Sequence, residues 1–271
     1  MLTLFSRFSF WCVLGLSFLL PISLEAKNKK QDFKRQDFIV FTPPKCGTHL
    51  IGKALQLMLN EEPLYCLNEL GSLELELQLI KSAKEQNRFV VAHNFSPALI
   101  KILAKKGYKI IFILRDPRDQ LISLMRFMQK GNWPEYPVAH IADQTDQIDE
   151  LITGTQFHFR AYEGCIKGRL ERILPLPTRI VHVTRFEYLV GAKGGGSREL
   201  QQKELLRIAR FIKYKITPDE AKKIGEDMFG GTWTFNEGQI GKWREYFLPY
   251  QKEVYKLLYG ETLKQLGYKE S

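Results

Sequence analysis

Short uninterrupted apolar runs, each bounded by charge or proline, alternate along residues 37–271 with longer stretches of helical period. Phe38-Ile39-Val40-Phe41 sits between Asp37 and Thr42-Pro43, the signature of a strand buried on both faces. Phe89-Val90-Val91-Ala92, Lys109 to Leu114 and Arg179 to Val183 repeat it. Helical period fills the spaces between, over Leu50 to Leu59, Pro97 to Lys105 and one long segment from about Ile148 to Ile173. Leu73 to Leu79 alternates like a strand, yet Leu73, Leu77 and Ile80 share one helix face, and the helix is preferred. Gly194-Gly195-Gly196 predicts a loop, with Ser197 capping a helix from Glu199 to Phe211. A glycine-rich segment follows Asp227 as far as Gly241, and helices run from there to the end. Continuous apolar strands separated by helices predict an α/β fold of three layers, a mostly parallel central sheet covered on both faces.

Composition narrows this to one domain. The chain has 271 residues, 44% hydrophobic, enough for a single core, and no internal repeat. Its formal net charge is +10, and residues 1–26 contribute only Arg7 and Glu25, so the excess belongs to the folded part. Such a domain favours anionic partners (nucleic acid, anionic lipid or a polyphosphate cofactor) or simply presents a solvated cationic surface. Four cysteines without a Cys-x-x-Cys pair make neither a disulfide framework nor a cysteine zinc site. Five histidines without His-x-x-x-His spacing likewise predict no metal centre.

The N-terminus has its own pattern. Arg7 precedes an uncharged run from Phe8 to Leu24, then come Glu25-Ala26 and Lys27, Lys29 and Lys30. This resembles a secretory signal cleaved after Ala26, preferred over a membrane anchor through residues 8–24, which is at the short end of the ~17–25 residues that span a bilayer. The chain is therefore expected to be exported or membrane-anchored. Because more Lys and Arg follow the run than precede it, an uncleaved anchor would leave the domain on the cytoplasmic side. Residues 27–36 form a polar linker and 37–271 the domain.

Two clusters carry chemistry. Thr42-Pro43-Pro44-Lys45-Cys46-Gly47-Thr48-His49 joins the first strand to a helix, which places backbone N–H groups where phosphate oxygens bind. Lys45 adds a charge and Thr48 a hydroxyl, although an ordinary turn after a strand fits the same string. A Walker A loop puts its lysine after the last glycine, whereas Lys45 precedes Gly47. A phosphatase loop through Cys46 fails too, because it needs arginine where Gly52 stands. After the third strand comes Arg115-Asp116-Pro117-Arg118-Asp119, with Ser123 two turns into the next helix. Arg115 at a strand's C-terminal end is where open α/β sheets bind ligands; the plainer alternative pairs it with Asp116 or Asp119.

With Gly238-Gln239-Ile240-Gly241-Lys242-Trp243 added, three motifs in this order resemble the sulfotransferase family that uses 3′-phosphoadenosine 5′-phosphosulfate (PAPS), of the soluble small-acceptor type. The similarity spans about Asp37 to Phe247 and implies a P-loop-like α/β fold and sulfuryl transfer to a hydroxyl or amine. It further implies that Lys45, Cys46, Gly47, Thr48 and His49 bind the 5′-phosphosulfate, that Arg115, Ser123 and the Gly238 backbone hold the 3′-phosphate, and that Phe186 packs on adenine. His93, in Val91-Ala92-His93, falls where the family has its general base; taken alone, a histidine ending a strand is a hydrogen-bonded core residue. Lys45 would stabilise the charge on the departing nucleotide, and no metal is required. The implied partner is a small-molecule or glycan acceptor, not nucleic acid, with a pocket lined from Leu64 to Leu79 and Trp133 to Gln147; the sequence carries no signal for oligomeric state. Three departures stand out: Leu50 replaces an aromatic, Val91 a lysine, and Asn236-Glu237 a basic pair, so that an acid lies beside the expected 3′-phosphate. Two other classes compete with this reading: a non-catalytic nucleotide- or glycan-binding protein of the cell envelope, and a P-loop kinase.

Overall fold

The computed structural model describes residues 35–270 apart from 157 and 231–236. The chain divides into two units, Met1–Asp32 and the compact Phe33–Ser271. The expected signal or anchor at 1–26 and most of the linker lie outside the described residues, as does Asn236.

Within the compact unit the elements follow as β1 (Phe38–Phe41), α1 (Thr48–Leu59), β2 (Pro63–Cys66), α2 (Leu73–Glu85), β3 (Phe89–Ala92), α3 (Pro97–Lys105), β4 (Lys109–Leu114) and α4 (Pro117–Met128). Then come α5 (Gln144–Thr153), α6 (Gly168–Ile173), β5 (Val181–Arg185), α7 (Phe186–Leu189), α8 (Arg198–Phe211), α9 (Pro218–Asp227), α10 (Trp243–Tyr246) and α11 (Pro249–Gln265). The strands form one parallel sheet in the order β2-β3-β1-β4-β5. β1 is central, with β3 on one side and β4 on the other, so the strand order reverses at β1. That reversal opens a crevice at the C-terminal strand ends.

Strand alternation separates two cores. Ile39 and Phe41 of β1, Val90 and Ala92 of β3, and Ile110 and Phe112 of β4 face one cluster, covered by α2, α3, α4, α5, α6 and α11. Phe38 and Val40, Phe89 and Val91, and Ile111 and Ile113 face the other, covered by α1, α8 and α9. This is the three-layer arrangement expected from the sequence. Each fully buried Phe or Ile contributes about 1.5–3 kcal/mol relative to exposure.

Three strands and α3 keep the bounds read from the pattern, and Leu73–Glu85 is a helix with Ser72 accepting from Leu75 N–H at 3.3 Å. Ser197 caps α8 by accepting from Leu200 N–H at 3.3 Å. The long helix expected over 148–173 is two helices instead. α5 starts earlier, behind the Asp143 cap, and stops at Gly154, whose left-handed φ of 62° ends the turn. The chain returns through a π-turn, Glu163–Lys167, into α6. β5 begins two residues later than the apolar run, because Ile180 N–H and Val181 N–H bond back to the Pro177 carbonyl.

Candidate active site

The loop after β1 is held from two sides. Thr42 N–H bonds to the Ala92 carbonyl at 2.9 Å, continuing the β1–β3 ladder into the loop. Gln120 Nε2 donates to the Pro44 carbonyl at 3.1 Å, and Arg115 donates to the Lys45 carbonyl at 3.3 Å. With those carbonyls tied back, the chain makes a sharp turn through Lys45 (φ 65°) and Gly47 (φ 103°) into α1. Only glycine suits position 47, since a Cβ there would stand 2.9 Å from the Phe186 ring. Unlike α2, α3, α4 and α8, α1 has no side-chain cap, and its first intrahelical bond is Ile51 N–H to the Gly47 carbonyl at 3.0 Å. The N–H groups ahead of Ile51 are thus offered at a helix N-terminus, the arrangement that binds an anion.

An open cleft lies over this loop. Lys45, Gly47, Thr48, His49, His93, Arg115, Ser123, Phe186 and Gly238 all line it. Sequence-expected groups from separate segments therefore meet in one place. Cys46 is the exception: its thiol is fully buried in the core below, and burial pushes its pKa up, so only its backbone can serve a ligand.

His93 ends β3 and is 8% exposed. Its Nδ1 lies 3.0 Å from the Thr42 carbonyl. A carbonyl only accepts, so Nδ1 carries the proton and Nε2 keeps its lone pair. Burial is the largest influence on the ring and lowers its pKa to about 4, aided by Arg169, His49 and Lys45 against the Thr42 bond. Arg169 of α6 fixes the backbone here, with Nε to the His93 carbonyl at 2.6 Å and a second bond to Asn94 Oδ1 at 2.5 Å.

Lys45 Nζ stands 3.9 Å from the centre of the Phe127 ring. Burial, then Arg115 and Lys130, lower its pKa to about 8. Arg115 is also largely buried, stacked on Phe186 with 4.2 Å to the ring centre, and donates to the Gln239 carbonyl at 3.0 Å. Its Nε is buried with no hydrogen-bond partner among the described residues. The alternative pairing with Asp116 or Asp119 is not what the structure shows. Asp116 pairs with Arg118 at 2.8 Å, while Asp119 accepts from Gly241 N–H at 2.6 Å and Trp243 N–H at 3.0 Å.

Asp119 thereby bolts the motif after β4 to the motif at 238–243, more than a hundred residues later. The expected loop at Gly194 does the same from the other side: a Cβ on Gly194 would meet the Gly238 carbonyl at 2.4 Å, and Ile240 N–H bonds to the Gly194 carbonyl at 3.0 Å. Glu237 is not a lone acid. Its carboxylate accepts from Arg126 at 2.7 Å and lies 3.4 Å from Lys242. Those two cations and Arg169 were missed in the sequence. The stripe Asp119, Ile122, Ser123, Arg126, Phe127, which lines the cleft at helical spacing, was a signal for Arg126. Arg169 had none. Leu67 and Asn68 from one expected acceptor region and Trp133 from the other also reach the cleft. No group of three or more His, Cys, Asp or Glu among the described residues could hold a metal ion, and no described helix is long and apolar enough to cross a membrane.

Comparison with known proteins ties this arrangement to one family. A family model described as sulfotransferase domain matches residues 35–168. Cytosolic sulfotransferase 17 of Arabidopsis thaliana is 23% identical over 295 residues, covering 95% of this chain and 83% of its own. Among solved structures, mouse sulfotransferase SULT7A1 complexed with PAP superposes with a TM-score of 0.63 at 18% identity, covering 84% of this chain and 85% of that one. Retinol dehydratase in complex with androsterone and the inactive cofactor PAP gives 0.57 at 14% identity, over 84% and 80%. At those identities the solved structures speak for the fold, a P-loop-like α/β sheet; the family likeness rests on the domain match and the named relative. Over residues 35–168 this chain carries the match to the sulfotransferase domain, and over most of its length it resembles a named sulfotransferase.

Proposed function

We propose that the protein moves a sulfuryl group from PAPS to a hydroxyl or amine of a small-molecule or glycan acceptor, by in-line transfer with His93 as general base. The observation that carries this reading is the convergence of Lys45, Thr48, His93 and Arg115 on one cleft at the C-terminal ends of β1, β3 and β4. The residues fit a nucleotide bearing phosphate at both ends. The uncapped N-terminus of α1 beside Lys45 suits the 5′-phosphosulfate, and the unpartnered Nε of Arg115 suits a second anion. Phe186 offers its ring edge beside Gly47, in keeping with an adenine contact. Cys46, with Gly47, Thr48 and His49, would contribute backbone N–H groups.

Each side chain then has one task. His93 Nε2 receives the acceptor's proton as the acceptor oxygen or nitrogen bonds to sulfur. The bond from sulfur to the bridging oxygen breaks, its electron pair leaves with the nucleotide, and Lys45 stabilises that negative charge. Thr42 holds His93 in the correct tautomer through the 3.0 Å bond to Nδ1. The structures that carry androsterone or retinol are of other proteins, but apolar alcohols of that kind would suit an acceptor side lined by Leu67, Phe127 and Trp133.

Incubation with sulfur-labelled PAPS and a pooled panel of alcohols, phenols, amines and sugars tests this. Label transfer is expected, with PAP raising the melting temperature. Neither transfer nor stabilisation would sink the proposal. PAP binding without transfer to any acceptor would favour the nucleotide-binding protein, and metal-dependent phosphate transfer from ATP the kinase. Export or anchoring through residues 1–26 stays part of the proposal on Arg7 and the uncharged run alone; the plant relative bears a cytosolic name and lends it no support. N-terminal sequencing and fractionation of the expressed full chain decide it.

A further inference from the structure

On α4 the residues Asp119, Ile122, Ser123, Arg126 and Phe127 form a stripe that lines the cleft. Arg126 is one turn beyond Ser123 on the same face. Its guanidinium donates to Glu237 Oε1 at 2.7 Å, and Lys242 Nζ lies 3.4 Å from Glu237 Oε2. Gly238 stands between two tethered neighbours: Glu237 is held by Arg126, and the Gln239 carbonyl is held by Arg115 at 3.0 Å. Two guanidinium groups are thus directed at the positions on either side of Gly238.

From this geometry we propose, resting on the PAPS reading above, that Arg126 and Lys242 are specificity-determining residues that select a nucleotide carrying a ribose phosphate, and that the Glu237 carboxylate occupies them until that phosphate arrives. They supply the charge that Asn236-Glu237 withholds from the segment before Gly238. The cleft here presents Arg115, Arg126 and Lys242 against the carboxylates of Asp119 and Glu237. Asp119 is committed to the Gly241 and Trp243 N–H groups, which leaves Glu237 as the anion a phosphate must displace. Displacement is cheap, because Arg126, Lys242 and Glu237 side chains are 25%, 28% and 38% exposed and solvent screens their pairing. A phosphate dianion carries more charge and more acceptor oxygens than the carboxylate it replaces, so the exchange favours the ligand. The second pairing of Lys242, with Glu245 at 2.7 Å, makes its share smaller than that of Arg126.

The test compares PAP with AMP, which lacks the 3′-phosphate, as ligands of the full-length protein by calorimetry. Arg126→Gln is expected to weaken PAP about tenfold or more while leaving AMP unchanged, and Lys242→Gln to do so by about threefold. Arg126→Lys should recover part of the loss. Glu237→Gln should tighten PAP by about threefold, again without effect on AMP. Equal losses for PAP and AMP in Arg126→Gln would make the residue merely structural and overturn the proposal. So would an unchanged PAP-to-AMP ratio, or weaker PAP binding in Glu237→Gln. A wild-type protein that binds no PAP at all would instead refute the PAPS reading itself.

Discussion

At one end of the cleft, Lys45 and Thr48 follow strand β1 and His93 follows β3; at the other, Arg115 after β4 and Ser123 and Arg126 of α4 meet the segment around Gly238, the contact from Arg115 to Gln239 spanning 124 residues. The first end is anchored in the parallel ladder, through Thr42 N–H to Ala92 and His93 N–H to the Cys66 carbonyl at 3.2 Å, with Gln120, Arg115 and Arg169 bracing its carbonyls. The second is held by side chains: Asp119 on the Gly241 and Trp243 N–H groups, and Arg126 on Glu237. Chemistry that depends on sub-ångström placement belongs on the stiff end, whereas recognition of a charged group tolerates ion pairs that exchange. Substitutions at the two ends should therefore fail in different ways.

The largest effect is expected at the stiff end. His93→Ala and Lys45→Ala should each lower kcat by about 10²–10⁴-fold, the range for loss of a positioned base or of charge stabilisation in the transition state. His93→Ala should leave PAP affinity unchanged, because the ring holds no phosphate in the proposed scheme. Steady-state kinetics with PAP titration checks both. Full activity in His93→Ala would end its assignment as base and return it to the role of a hydrogen-bonded core residue. Next comes Gly47→Ala, which forces a Cβ to 2.9 Å from Phe186 at a φ of 103°. Its expected signature is the reverse: PAP affinity falls by about tenfold or more through strain of about 1–3 kcal/mol in the loop, while proton transfer by His93 is untouched. If Gly47→Ala lowered kcat alone, the loop would support the base rather than the phosphosulfate, and binding and chemistry would not be separable within this end.

The same contrast explains what the sequence revealed. β1, β3 and β4 were legible to the residue because both faces are buried, so their apolar runs are continuous and bounded by charge. β2 was missed. It lies at the sheet edge, opens with Pro63, and leaves Leu64 and Tyr65 only half-buried, so nothing in Pro-Leu-Tyr-Cys stands out from a loop. The break at Gly154 was hidden because the apolar period resumes in α6 and only the left-handed turn reveals the interruption. Lys45, His93 and Arg115 could be placed beside one cleft because motif and strand end coincide, and Ser123 because it follows Arg115 at helical spacing. Arg169 grips the His93 carbonyl from 76 residues away, and no local pattern encodes such a contact. Glu237 read as a misplaced acid because its partners are remote: Arg126 lies 111 residues away.

The smallest expected effects are in pH dependence, and they sharpen the comparison because both titrating groups sit on the stiff end. His93 must be neutral to accept a proton, and burial lowers its pKa to about 4, so kcat/KM should rise with pH through about 4 rather than near 6.5. Lys45 must be charged, and burial with Arg115 and Lys130 lowers it to about 8, so kcat/KM should fall as pH passes about 8. Lys45→Arg should remove that alkaline limb while keeping the acid one, because guanidinium stays protonated throughout. Folding stability follows by linkage. Between about 4 and 6.5 the unfolded chain binds a proton that native His93 refuses, so His93 makes stability fall as pH drops through that window. His93→Gln should flatten the slope of melting temperature against pH there. Glu237 is held below the usual carboxylate range by its bond to Arg126, so Glu237→Gln should leave that slope as it is. A slope unchanged in His93→Gln but lost in Glu237→Gln would mean that the exposed ion pair, not the strand-borne histidine, couples this fold to protons.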